Sequence, residues 1–272
     1  MHQEHDEHRQ KALRLKGERR IFIVTPALNE EEAIPQVLAE LPAELVDLHV
    51  ICDNGSTDAT AIRAREGGAQ VVAESRRGYG RACQTALEAI REGRFADPPR
   101  PHDLIAFLDA DHSDYPEDLS ALCLPILEDR AEFVVGSRVR GGATMDALLP
   151  QAWFGNRLAC FLMRVCFGAR WTDLGPFRVL RFDALEHLDM RDEDFGWTVE
   201  MQLKAAVCDL RSLEVPVRYR ARIGTSKITG TISGTLRAGF KILGWILGWR
   251  AKLFFTRQRI PKFRGSERSA PQ

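Results

Sequence analysis

Leu104–Ile105–Ala106–Phe107–Leu108–Asp109–Ala110–Asp111 is the stretch that decides how this chain is read. Five apolar residues in a row predict a strand buried on both faces, and two carboxylates separated by one alanine follow at its end. Side chains two apart on a strand share a face, so the pleat would aim Asp109 and Asp111 the same way. Two like charges held that close repel unless a cation lies between them. Oxygen ligands at a strand end suit Mg²⁺ or Mn²⁺, which keep several waters and complete their shells from substrate phosphates. The pair therefore points to a divalent ion held against a phosphorylated substrate. A solvated turn is the competing reading of an isolated Asp-x-Asp.

On either side of this stretch, strand-like and helix-like segments alternate. Ile21–Phe22–Ile23–Val24 predicts a first strand, followed by a helix over about 31–41. Leu48–His49–Val50–Ile51–Cys52 predicts a second strand ending at Asp53, with a helix starting near Thr57. Val71–Val72 is a short third strand, Tyr79 to Arg91 has helical spacing, a further helix begins after Pro116, and Glu132 to Gly136 is another strand. Such alternation predicts an α/β fold with a mostly parallel central sheet flanked by helices. Ligands of such sheets sit beyond the carboxyl ends of the strands, which is where Asn29–Glu30, Asp53–Asn54–Gly55 and Asp109–Asp111 fall.

The chain of 272 residues is 44% hydrophobic and 28% charged, enough for a sizeable core. Six cysteines without paired short spacing predict reduced thiols and a cytoplasmic protein, against a disulfide framework or a zinc site. Net charge is zero but unevenly placed: from Arg218 onward there are thirteen Lys/Arg and one acid, Glu267. That asymmetry points to an anionic partner. The interleaving of basic residues with Phe240, Trp245, Trp249, Phe254 and Phe255 favours an anionic membrane surface over nucleic acid. The uncharged run Ile242–Trp249 is far short of the ~18 residues that span a bilayer. A core or homodimer helix is the alternative for this segment. The expected organisation is a disordered polar tail over 1–20, a catalytic domain over 21–229, and a basic amphipathic helix and tail over 230–272.

Four ordered motifs carry a family resemblance: Thr25–Pro26–Ala27–Leu28–Asn29–Glu30, Asp53 to Thr60, Arg77–Gly78–Tyr79–Gly80–Arg81–Ala82, and Asp109–Ala110–Asp111. Their order and spacing resemble those of family 2 glycosyltransferases. Gly136–Ser137–Arg138 and Arg222–Ile223–Gly224–Thr225–Ser226–Lys227 resemble the branch that includes dolichyl- and polyprenyl-phosphate hexosyltransferases. The resemblance implies the nucleotide-sugar-binding fold called GT-A. It also implies inverting transfer of a hexose from a UDP- or GDP-linked sugar to a polyprenyl phosphate, at the inner face of a membrane. A hydroxyl acceptor on a glycan or small molecule, and a binding protein without catalysis, are the alternatives.

By the same resemblance Pro26, Ala27, Glu30 and Asp53 surround the nucleoside, and Asp111 holds the metal with Asp109 and Ala110 beside it. Arg77 and Gly78 open a glycine turn before a helix, which suits a diphosphate near backbone N–H groups. Arg138, Arg222 and Lys227 are expected on phosphate, and Asp194, in the acidic run Asp192–Glu193–Asp194, is the expected catalytic carboxylate, with Glu200 supporting it from a helix. The chain departs from its relatives at His112–Ser113–Asp114. Many relatives place there a glutamine that completes the metal shell. Ser113 replaces it, leaving Asp114 or a water to substitute.

Overall fold

Alternating side chains along the central strands explain why their sequences are apolar without a break. A computed structural model describes residues 2–143, 150–224, 241–251 and 261–265. In it Ile105 and Phe107 join one buried cluster, with Phe22, Val24, Val50 and Cys52, while Leu104, Ala106 and Leu108 join another, with Ile21, Ile23 and Val134. Each face of the sheet is covered, so both parities must be apolar. Phe107 also meets the Trp197 ring edge-on, 5.9 Å between centroids. Full burial of such a side chain contributes about 1.5–3 kcal/mol.

The elements run in the order α1 (His2–Lys16), β1 (Ile21–Ala27), α2 (Ile34–Ala39), β2 (Leu48–Asp53), α3 (Thr60–Glu66), β3 (Gln70–Ala73), α4 (Tyr79–Arg91), β4 (Leu104–Phe107) and α5 (Leu119–Leu127). They continue with β5 (Phe133–Ser137), α6 (Pro150–Phe167), β6 (Arg178–Arg181), α7 (Phe182–Leu188), α8 (Trp197–Val207) and β7 (Ser212–Pro216). Residues 241–251 are also helical. One sheet takes the order β3-β2-β1-β4-β6-β5-β7. β1 pairs in parallel with β2 on one side and with β4 on the other, Ile21 opposite Leu104. β6 runs antiparallel between β4 and β5, and β7 returns parallel to β5. Because the chain winds outward in opposite directions from β1 and β4, a crevice opens at their carboxyl ends.

Two expectations change here. The polar tail is the helix α1, packed on α5 through the fully buried Ala12, with Leu13 and Leu15 beside it. Lys11–Glu128 (2.5 Å) and Lys16–Asp47 (2.6 Å) pair at its edges. Surface ion pairs contribute little singly, so the apolar contacts of one narrow stripe hold this helix. Secondly, β4 stops at Phe107, and Asp109 and Asp111 lie in the turn beyond it. The turn, not the strand pleat, brings them together. All six cysteines are free thiols. Among the described residues no helix is long and apolar enough to cross a membrane. Lys227 and the flanks of the expected amphipathic helix, 230–240 and 252–255, lie outside the described residues.

Candidate active site

At the end of β1 the backbone turns through Asn29, whose positive φ of 52° is a conformation asparagine tolerates. The Asn29 side chain accepts from Thr57 N (2.8 Å), and Glu30 N donates to the Thr60 hydroxyl (2.8 Å). These bonds tie the β1 and β2 loops together and hold the buried Glu30 at the rim of a cleft of about 380 Å³. Pro26, Ala27, Glu30, Arg77, Gly78, Asp109, Ala110, Asp111, Asp194 and Arg222 all line it. Asp53 and Arg138 do not. Asp53 Oδ1 instead accepts from Ser56 N (2.9 Å), closing a turn beside the site.

Asn54 does more than its place in the motif suggested. Its amide nitrogen donates to the Glu74 (3.0 Å) and Arg76 (2.7 Å) carbonyls, and its oxygen accepts from Gly78 N (2.9 Å). One side chain thus pins the whole Arg77–Gly78 turn. The two glycines of that turn have a steric reason. A Cβ on Gly78 would stand 2.1 Å from the Glu193 carbonyl oxygen, and one on Gly80 2.0 Å from that of Asp192. The acidic loop lies against the start of α4 so closely that Arg81 N donates to Glu193 O (2.9 Å) and Gly80 N to Asp194 O (3.3 Å). Those amides are therefore engaged by protein carbonyls, and the expectation that the first turn of α4 offers them to a diphosphate is corrected.

Asp109 accepts from the Tyr79 hydroxyl (2.8 Å), a contact that residue types alone did not reveal. Burial, and then the charge of Asp111, hold the Asp109 carboxyl well above the ordinary carboxylate range. Asp111 Oδ1 accepts from Ser113 N (2.9 Å) and Oγ (2.6 Å), while Oδ2 pairs with Arg222 Nη1 (3.1 Å). Ser113 is thus a support for Asp111. Buried Asp114 has, among the described residues, no hydrogen-bond partner on either oxygen, and burial raises its carboxyl, with Asp109 the next cause. Among the described residues no three His, Cys, Asp or Glu side chains converge as a metal cluster. Asp109 and Asp111 are the residues that would hold a divalent ion such as Mg²⁺ or Mn²⁺, whose chemistry suits carboxylate oxygens.

Arg138, at the end of β5, is spent on Asp173. Its Nε (2.8 Å), Nη2 (2.7 Å) and backbone N (2.8 Å) all donate to that fully buried carboxylate. Engaged in this way, Arg138 does not line the cleft where it was expected to meet phosphate. Asp194 lines the cleft, with Lys241 Nζ 3.6 Å away. Lys241 also lies 3.1 Å from Asp192, whose Oδ2 accepts from the Trp245 indole (2.7 Å). Glu200, on α8, accepts from Asp192 N (2.7 Å) and Arg191 N (3.0 Å), so it orders the loop from behind.

A sequence profile described as glycosyl transferase family 2 matches residues 22–189. An uncharacterized glycosyltransferase of Mycobacterium tuberculosis is 35% identical over 222 residues, covering 80% of this chain and 94% of that one. The dolichyl-phosphate hexose transferase of Haloferax volcanii is 32% identical over 214 residues, covering 76% and 86%. Among solved structures, glucosyl-3-phosphoglycerate synthase from Mycobacterium tuberculosis, in complex with Mn²⁺, uridine diphosphate and phosphoglyceric acid, superposes with a TM-score of 0.67. It is 22% identical, covering 89% of this chain and 82% of that one, a likeness that speaks for the fold. That fold is GT-A.

Proposed function

The chain belongs to glycosyl transferase family 2, and from that premise we propose that it moves a hexose from a UDP- or GDP-linked sugar to a polyprenyl or dolichyl phosphate. The observation that carries this reading is the meeting in one cleft of Glu30, Asp109, Asp111, Arg77 and Arg222. Carboxylates at one end suit the hydroxyl and N–H groups of a nucleoside, and guanidinium groups match phosphate. Asp109 and Asp111 would hold the Mg²⁺ or Mn²⁺, which, when bound, stabilises charge on the departing diphosphate.

In the step itself an acceptor phosphate oxygen forms a bond to the anomeric carbon as the bond from that carbon to the donor diphosphate breaks. The diphosphate leaves with the electron pair, and attack from the opposite face inverts the centre. A phosphate acceptor is anionic at neutral pH and needs no strong base. Asp194, beside Lys241 on the cleft, would serve to position the substrates.

A lipid-borne acceptor is supported by the surface beside the cleft. On α6, Phe154, Phe161 and Val165 are each more than half exposed and share one stripe, while Arg157 and Arg164 stand exposed among them. Leu247, from the 241–251 helix, is also more than half exposed. Ile246 of that helix is buried against Ala159, Met163 and Leu203, so the helix packs on the domain by one face. An apolar ridge among arginines suits the boundary of an anionic bilayer.

The test incubates the full chain and Mn²⁺ with a panel of UDP- and GDP-sugars. Polyprenyl phosphate in anionic liposomes, 3-phosphoglycerate or a glycan serves as acceptor. The expected product is a lipid-linked hexose, with co-sedimentation of the protein on the liposomes. Transfer confined to a soluble acceptor would overturn the lipid reading.

A further inference from the structure

Residues 219–223 lie antiparallel beside 111–114. Asp114 and Tyr219 form an isolated bridge, Arg220 N donates to Ser113 O (3.0 Å), and Ile223 N donates to Asp111 O (3.0 Å). That pairing places Arg222 where its two terminal nitrogens reach two carboxylates of the cleft at once. Nη2 bonds Glu30 Oε1 at 2.9 Å, and Nη1 pairs with Asp111 Oδ2 at 3.1 Å. The Nε is buried and has no hydrogen-bond partner among the described residues, so the guanidinium keeps a donor in reserve.

Asp111 has only two oxygens to give. Oδ1 is gripped by the amide and hydroxyl of Ser113. The oxygen left for an incoming ion is Oδ2, and this is the oxygen that Arg222 holds. Mg²⁺ and Mn²⁺ approach a carboxylate oxygen far more closely than a guanidinium does, so both cations on Oδ2 would repel at short range in a half-buried site. A diphosphate changes that balance. It offers the guanidinium a bidentate anionic partner within the same cleft, and it offers the metal further oxygens.

We propose that Arg222 is a built-in counterion which a divalent metal must displace from Asp111, and that the donor diphosphate draws it away. Metal and nucleotide then load together, and metal alone loads poorly. This rests on the metal-dependent reading given above and adds to it an order of loading and the residue that enforces it. Arg222 acts as a positioning residue in this respect, because it works through Asp111.

The experiment measures Mn²⁺ binding to the full-length chain by the electron paramagnetic resonance signal of free Mn²⁺, with and without UDP. Wild type is compared with Arg222→Gln and Arg220→Gln. Arg220 sits on the same segment but binds Glu40 and the His112 carbonyl, so its loss reports general loosening. Arg222→Gln is expected to bind Mn²⁺ alone at least about tenfold more tightly than wild type. In the same variant the gain in Mn²⁺ affinity on adding UDP should shrink, because the diphosphate has lost its guanidinium. Arg220→Gln should track wild type. Equal Mn²⁺ affinities for wild type and Arg222→Gln without UDP would overturn the proposal, and so would an equal rise in Arg220→Gln. If no chain binds Mn²⁺ even with UDP or, in a parallel titration, with GDP, the metal reading fails and takes the proposal with it. Equal, measurable binding in wild type and Arg222→Gln removes the counterion role alone.

Discussion

The two walls of the cleft use charge in different ways. Along β1, β2 and β4, Glu30, Asp109 and Asp111 line the cleft, while Asn54 and Tyr79 hold the surrounding loops from within the same wall. Around that lining and, apart from Asp194, outside it, cations and carboxylates mostly satisfy one another. Arg138 forks onto Asp173, Arg218 onto Asp118, Arg220 onto Glu40, and Lys241 lies between Asp192 and Asp194. The first wall is poised for ligand. The second is a scaffold of internal pairs, from which, among the described residues, Arg222 and Asp194 also line the cleft.

That contrast predicts that substitutions on the first wall strike function and those on the second strike stability. The largest effect belongs to Asp111→Asn. It keeps volume and removes a charged ligand, so sugar transfer should fall by about 10²–10³-fold or more while the thermal midpoint changes little. A fully active Asp111→Asn, with transfer undiminished by EDTA, would break the comparison at its strongest point. Next comes Arg138→Ala. It leaves Asp173 buried without its partner, which costs about 3–5 kcal/mol of folding free energy in denaturant titration. UDP affinity of the folded fraction should stay near wild type. A variant of normal stability with lost nucleotide binding would move Arg138 to the other wall. The smallest effect is expected for Asn54→Ala. It releases the Arg77–Gly78 turn and should weaken UDP binding by about 1–3 kcal/mol in calorimetry, with a modest loss of stability. Unchanged affinity would show that the turn holds its shape without the asparagine.

The same contrast governs how much could be read from the chain itself. On the first wall the decisive residues are local: an apolar run followed by Asp109 and Asp111, a strand followed by Asp53 and Asn54, and a Gly-Tyr-Gly turn opening α4. Most of the expected residues line the crevice. Asp53 fails to do so because its carboxylate is used by the turn it starts. The second wall joins residues far apart in sequence, Arg138 with Asp173 and Arg222 with Glu30 and Asp111, and no local pattern announces such pairs. Gly78 and Gly80 were legible as a turn, yet their reason is a loop more than a hundred residues later. The helix α1 escaped notice because its apolar stripe is narrow and its composition polar. The antiparallel β6 was equally hidden, since its four residues, Arg178–Arg181, begin and end in arginine.

The segment over 219–223 also has a consequence in time. Chains are made from the N-terminus at about 5–20 residues per second, so Asp111 is synthesised roughly 5–20 s before Arg222. Throughout that interval the growing polypeptide carries Asp109 and Asp111 without the guanidinium that later covers Oδ2. The charge balance of the cleft is therefore completed late, when 219–223 comes to lie beside 111–114.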